Sequence, residues 1–189
     1  MTRHRSIRPA VPADVERLTA LIRESVIGLS LGDYSAAQLE SALIHVFGVD
    51  TRLIDDGTYF VVEEPGTTGP LACGGWSRRR TLFGGDQYIG RTDDRLDPAV
   101  DAARIRAFFV RPGAARRGLG SMLLGACERA AREHGFVRLE LMATLTGIPL
   151  YERAGFLARE RVDLELPDGV RFPLVRMERT LKPEGDLPA

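Results

Sequence analysis

The chain has 189 residues, 44% of them apolar and 28% charged, and its 26 acidic side chains balance its 26 basic ones. This length fits one domain with a sizeable core, and the apolar share excludes disorder as the dominant state. Zero net charge argues against a dedicated nucleic-acid binder, which carries a basic excess.

A short strand signal around Ile7 is cut off by Pro9 and Pro12. Asp14 then offers an N-cap, and behind it Val15, Leu18, Leu21, Ile22 and Val26 recur at helical spacing. Ile27 to Tyr34, which contains Gly28 and Gly32, reads as a loop. Ser35 and Gln38 form a capping box ahead of Leu39, Leu43, Val46 and Phe47, so two helices come early. Tyr59 to Glu63 and Leu71 to Ser77 flank turn chemistry at Pro65 to Pro70, which predicts an antiparallel hairpin. From Arg78 to Ala103 the pattern dissolves into charges and glycines. Such a run is either a functional loop or a stretch holding an element that the pattern does not reveal.

Arg104 to Val110 is the next apolar strand, and Leu119, Met122, Leu123, Ala126, Cys127, Ala130 and Ala131 then step at helical period to a C-cap at His134-Gly135. Val137 to Met142 alternates as another strand, so strand, helix and strand predict a right-handed crossover with a parallel pair. A short helix over Pro149 to Ala154 stops at Gly155. Phe156 to Leu166 and Val170 to Arg179 flank the turn Pro167-Asp168-Gly169 as a second hairpin. The expected fold class is α/β, a mixed, mostly antiparallel sheet with a central parallel βαβ crossover and flanking helices. A single domain is expected over 1–182, with a C-terminal tail over 183–189.

Cys73 and Cys127 form no closely spaced pair and His4, His45 and His134 are scattered, so no metal site is expected. No run reaches the ~20 apolar residues of a membrane span, and Met1 to Leu18 lacks the apolar region of a signal peptide. Neither a membrane nor nucleic acid is an expected partner, and the expected compartment is the cytoplasm.

Chemistry concentrates in the segment from Ile105 to Ser121, I-R-A-F-F-V-R-P-G-A-A-R-R-G-L-G-S. A strand runs through a short loop into Gly118-Leu119-Gly120 at the start of a helix. Unpaired amides and the positive end of the helix dipole there suit an anion, and glycine lets a phosphate approach the backbone. Arg116 and Arg117 add charge at the rim. A P-loop is excluded because Leu119-Gly120 stands where its lysine and hydroxyl residue belong. A dinucleotide fingerprint is disfavoured: Leu123 holds the place of its third glycine, although Glu140 lies where a ribose-binding acid could sit.

The run V-R-P-G-A-A-R-R-G-L-G-S-M-L-L, Val110 to Leu124, closely resembles the acetyl-CoA-binding motif of the GNAT superfamily of N-acetyltransferases, and L-Y-E-R-A-G-F, Leu150 to Phe156, resembles its second signature. Ala115 departs from the Gln or Arg that opens the family motif Q/R-x-x-G-x-G/A. The order of elements matches as well, and the likeness extends over residues 3 to 181.

That resemblance implies acetyl-CoA as co-substrate and a primary amine of a small molecule or peptide as acceptor, and it leaves a homodimer open. It implies pantetheine contacts on the backbone of Phe108 and Val110, with Phe109 between them, and a Phe108 N–H that polarises the thioester carbonyl. The side chains of Phe108 and Phe109 read as core. The pyrophosphate would rest on the amides of Arg116, Arg117, Gly118, Leu119, Gly120 and Ser121. Tyr151 aligns with the tyrosine that protonates the departing thiolate in many members, and Thr144 stands where an asparagine often touches pantetheine.

No carboxylate lies on Arg104 to Val110, where several members carry a glutamate base. Glu24, Asp33 and His45 remain as candidates, each also readable as an ordinary structural or surface residue. Arg78-Arg79-Arg80 could draw an anionic substrate or be a solvated run, and Trp76 and Tyr88 could line an acceptor pocket, although Trp76 is first a core candidate. Two further readings stay open: a CoA-binding module without catalysis, and a nucleotide-binding regulator using the same glycine loop.

Overall fold

The structure, a computed structural model, describes residues 4–181; the expected tail, 183–189, lies outside them. Seven strands form one sheet: β1 (Ser6–Pro9), β2 (Tyr59–Glu63), β3 (Ala72–Ser77), β4 (Ala103–Val110), β5 (Arg138–Thr144), β6 (Leu157–Glu165) and β7 (Arg171–Thr180). Their spatial order is β1-β2-β3-β4-β5-β7-β6. Every neighbouring pair is antiparallel except β4 and β5, the parallel pair that the crossover pattern predicts. β7 sits between β5 and β6, so the final hairpin folds back onto the sheet.

Alternate strand residues feed opposite faces. On one face α1 (Val15–Ser30), α2 (Ala36–His45) and α3 (Thr51–Asp55) bury Leu18, Ile22, Leu39 and Leu53 with Val61, Cys73 and Phe172 of the sheet. On the other, α4 (Leu119–Glu133) and α5 (Ile148–Arg153) bury Leu123, Cys127 and Tyr151 with Val62, Leu141 and Ala143. Trp76 is wholly buried on the second face beside Phe136, which makes it core.

The capping box at Ser35 forms as expected, with Gln38 N–H donating to Ser35 Oγ at 3.2 Å and Ser35 N–H donating to Gln38 Oε1 at 3.0 Å. Asp14 behaves differently. Pro12 starts a 3-10 turn one turn earlier than the expected helix start, and Asp14 reaches back to accept the Val11 N–H at 2.9 Å. The expected loop over Ile27 to Tyr34 is also shorter, because α1 continues to Ser30. Gly28 lies within α1, and a Cβ there would lie 2.4 Å from Pro112 Cγ, so the glycine lets α1 close on the loop after β4. α3 was not expected; its five residues are too few to show a period. The stretch 78–102 holds no helix or strand, only an isolated bridge between Arg79 and Arg95. No helix among the described residues is long and apolar enough to cross a membrane.

Candidate active site

The parallel pair is brief. β4 and β5 pair only at Ala103–Leu139 and Arg104–Glu140, and they diverge beyond that point. On its other edge β4 carries a bulge: Cys73 faces Phe109 and Gly75 faces Arg106, so Ala107 and Phe108 have no register partner on β3. Ala107 takes φ +56°, a left-handed conformation costly for a residue with a side chain. Two neighbours hold it there. Tyr59 Oη donates to the Ala107 carbonyl at 3.2 Å, and Gly74 leaves room for the Phe108 ring, which would lie 2.6 Å from a Cβ.

The divergence opens a cavity of about 680 Å³ that runs between the two faces of the sheet. Its floor is β4 from Ile105 to Val110, with Met142 and Thr144 of β5. One half is bounded by Arg116, Gly118, Gly120, Ser121, Tyr151 and Arg153 around the first turns of α4 and α5. The other half is bounded by residues of α1, the α2–α3 connection and the long loop.

In the first half, Gly118 precedes α4 at φ +80° and offers no side-chain cap, so the first-turn amides keep no partner within the helix. Arg116 is exposed at the cavity and also has a positive φ, +63°. Its neighbour Arg117 turns away: its guanidinium lies 3.0 Å from Glu64, which Arg5 also contacts at 3.2 Å. Bonds from both arginines hold the Glu64 carboxyl below its ordinary range against the opposing effect of burial. The guanidinium of Arg117 is therefore drawn away to Glu64, whereas Arg116 stays at the cavity.

Tyr151 lies in the wall with its ring 6.2 Å from that of Phe108 and 5.7 Å from that of Phe156. Its hydroxyl has no hydrogen-bond partner among the described residues, and burial pushes the phenol well above its ordinary value. Gly147 lets the preceding turn press against this ring, since a Cβ would sit 3.3 Å from it. Thr144 Oγ1 accepts the Gly147 N–H at 3.2 Å and lines the cavity. Phe108 and Phe109 are only half-buried and line it too, so the expectation that their side chains are plain core needs correcting. The Val110 N–H donates to Ser25 Oγ at 3.0 Å, which ties α1 to the divergent strand. Sequence reasoning passed over Ser25; the available signal was a hydroxyl inside the apolar stripe of Leu21, Ile22 and Val26.

Several other expected residues are engaged elsewhere. Glu24 is exposed and 3.8 Å from Arg111, Asp33 accepts from Thr146 at 2.7 Å, and His45 lies 3.7 Å from Asp168. None of the three lines the cavity. Glu140 is held by Arg104 and, at 2.8 Å, by Arg176, which removes it as a ribose ligand. Arg79 is paired with Asp56 at 2.7 Å and Arg80 lies 3.5 Å from Asp101, so the arginine run is largely committed to the protein's own acids. Tyr88 packs on Phe83, whose ring lines the cavity in its place. Among the described residues no cluster of histidine, cysteine and acidic side chains could hold a metal ion.

The fold is found in known proteins. A GCN5-related N-acetyltransferase from Rhodopseudomonas palustris matches 96% of this chain and 99% of its own with a TM-score of 0.69 at 19% identity. The yncA structure from Salmonella typhimurium, solved with its cofactor acetyl-CoA, matches 98% and 99% with a TM-score of 0.63 at 18% identity. The paia N-acetyltransferase from Thermoplasma acidophilum, in complex with coenzyme A, matches 94% and 99% with a TM-score of 0.61 at 16% identity. At these identities the likeness is one of fold. No curated protein matches the chain. The acetyltransferase (GNAT) family model matches residues 26–156, and the chain belongs to that family. Acetyl transfer is accordingly its general chemistry.

Proposed function

We propose that the chain is an N-acetyltransferase that uses acetyl-CoA and a primary amine, with Tyr151 as proton donor to the departing sulfur. The residues present suit such a co-substrate. The first-turn amides of α4, from Leu119 to Ser121, with Arg116 at the rim, would hold the pyrophosphate, and the Cβ-free approach at Gly118 keeps that cradle open. Phe108, which has no register partner on β3 and faces the divergence, would offer its N–H to the carbonyl, and Phe109, Val110 and Thr144 would line the pantetheine path. When bound, acetyl-CoA supplies the activated acetyl group.

The observation that carries the reading is the Tyr151 hydroxyl, which stands in the cavity wall with no competing partner among the described residues. Burial keeps it protonated through neutral pH, so it can donate a proton and cannot act as a base. Tyr151→Phe keeps the ring contacts and removes only that proton. Turnover should fall by on the order of 10²-fold, in kcat and kcat/KM together. Affinity for acetyl-CoA and melting temperature should stay within error. Unchanged turnover in the folded variant would return Tyr151 to the core. A CoA-binding module without catalysis draws on one observation, that no Asp, Glu or His lies among the described cavity-lining residues. Release of free thiol that depends on an added amine decides against it.

A further inference from the structure

The acceptor half of the cavity has an unusual character for a site that handles amines. Its wall is mainly apolar, built from Val26 and Leu29 of α1, Val46 and Phe47 after α2, Phe83 of the long loop and Phe109 of β4, with the neutral hydroxyls of Ser25 and Ser30 among them. The charged side chain lining this half is Arg106, and it is paired within the protein. Its guanidinium lies 2.8 Å from the fully buried Asp50 and donates to the Gly84 carbonyl at 2.5 Å. Asp50 is itself shared with Arg91 at 2.5 Å. It does not line the cavity, and its oxygens face two arginine guanidinia rather than the open space. Among the described residues, then, the lining has neither a carboxylate to neutralise an ammonium nor a carboxylate or imidazole to deprotonate one.

Two consequences follow from elementary chemistry. A cation entering this half would lose its hydration without gaining a counter-charge, which is costly beside Leu29 and Phe83. An amine must also arrive with its lone pair free. A lysine-like amine of pKa ~10.4 is neutral only a few times in ten thousand at pH 7, whereas an α-amino group of pKa ~8 is neutral about one time in ten.

Resting on the acetyltransferase reading above, we infer that the acceptor is a weakly basic amine carried on an apolar, ring-sized body: an aromatic amine, or the α-amino group of an apolar residue. The neutral nitrogen forms the new C–N bond as the C–S bond breaks. Its proton leaves to water, and the sulfur takes the Tyr151 proton, which solvent restores. Polyamines and lysine side chains are disfavoured on both grounds.

The test sets four amines against the full-length protein at pH 7: aniline, phenylalanine amide, phenethylamine and spermidine. The first two distinguish a free aromatic amine from a peptide-like amino terminus of the same chemistry. The kcat/KM for the better of these two should exceed that for phenethylamine by at least tenfold and that for spermidine by more. With aniline, kcat/KM should be flat from pH 6 to 8.5, because neither the amine nor an enzyme base titrates there; with phenethylamine it should rise about tenfold per pH unit. Calorimetric titration of each amine into the protein saturated with CoA gives a readout without turnover: the weak bases should bind and spermidine should not. Preference for spermidine, or an aniline profile that rises with an enzyme pKa between 6 and 8, overturns the inference while leaving the acetyltransferase reading intact. Acetyl-CoA binding without turnover or binding of either weak base also overturns it. Absence of acetyl-CoA binding removes the acetyltransferase reading, and the inference with it.

Discussion

Ala107 shows how much of the site depends on single residues. Its left-handed backbone turns β4 out of register with β3 and away from β5, and the strain is held by Tyr59, a wholly buried residue on β2, the strand beyond β3. The Tyr59 hydroxyl also lies 3.2 Å from Cys73 Sγ, and burial pushes that thiol up to about 12, so Cys73 packs as an inert neighbour. Tyr59→Phe removes the donor and leaves the Ala107 carbonyl unsatisfied in the interior, at a cost of about 1–2 kcal/mol. Urea titration should show that loss, and acetyl-CoA affinity should weaken with it because the bulge relaxes. A variant as stable as the wild type would mean that β3 and Gly74 alone hold the bulge. None of this was readable beforehand. Leu71 to Ser77 read as a strand with nothing to mark a bulge opposite it, and only the Phe108 ring above Gly74 and the Thr58 carbonyl beside Gly75 explain why glycine stands there.

At the scale of elements, the entry to α1 is the place where local and long-range forces can be separated. Arg8 on β1 contacts Asp14 at 2.7 Å and Glu63 on β2 at 2.8 Å, so one arginine joins the edge of the sheet to the first helix. The bond from Arg8 lowers the Asp14 pKa below its ordinary value against the effect of burial. A carboxyl depressed in the folded state contributes stability above its unfolded pKa, near ~3.9, and loses that contribution as pH falls through the folded value. Asp14→Asn keeps an oxygen for the Val11 N–H and removes the charge. With Arg8 partly exposed, the loss at pH 7 should stay below about 1 kcal/mol. The gap between variant and wild type should close below pH 4. A gap that does not narrow as pH falls from 5 to 2 would assign the effect to capping instead of charge. Elements with a strong period or cap, such as α4 and the Ser35 box, were legible in the sequence. The end of α1 was not, because Gly28 marks a helix-to-loop contact with Pro112 that looks locally like a helix breaker.

For the molecule as a whole, the two halves of the cavity differ in how they are encoded. The half at α4 and α5 comes from two contiguous runs, Val110 to Leu124 and Leu150 to Phe156, so a reader of the sequence finds it. The other half is assembled from α1, the α2–α3 connection and the loop after β3, and it is drawn together by contacts that span long stretches of chain. Arg106 on β4, Asp50 at the start of α3 and Arg91 in the long loop form one buried ionic chain, and backbone bonds join Gly85 to Val46 and Asp86 to Val49. That explains why 78–103 reads as structureless: its anchors are charges whose partners lie far off in sequence. The account as a whole rests on acetyl-CoA occupying the α4 half. Calorimetric titration of acetyl-CoA into the wild type and into Gly120→Val tests this most directly, since a side chain at 120 intrudes among the first-turn amides and displaces only the tip of Leu150. The account predicts one saturable site in the wild type and at least a tenfold weaker one in the folded variant. Equal affinity in the two proteins would contradict it.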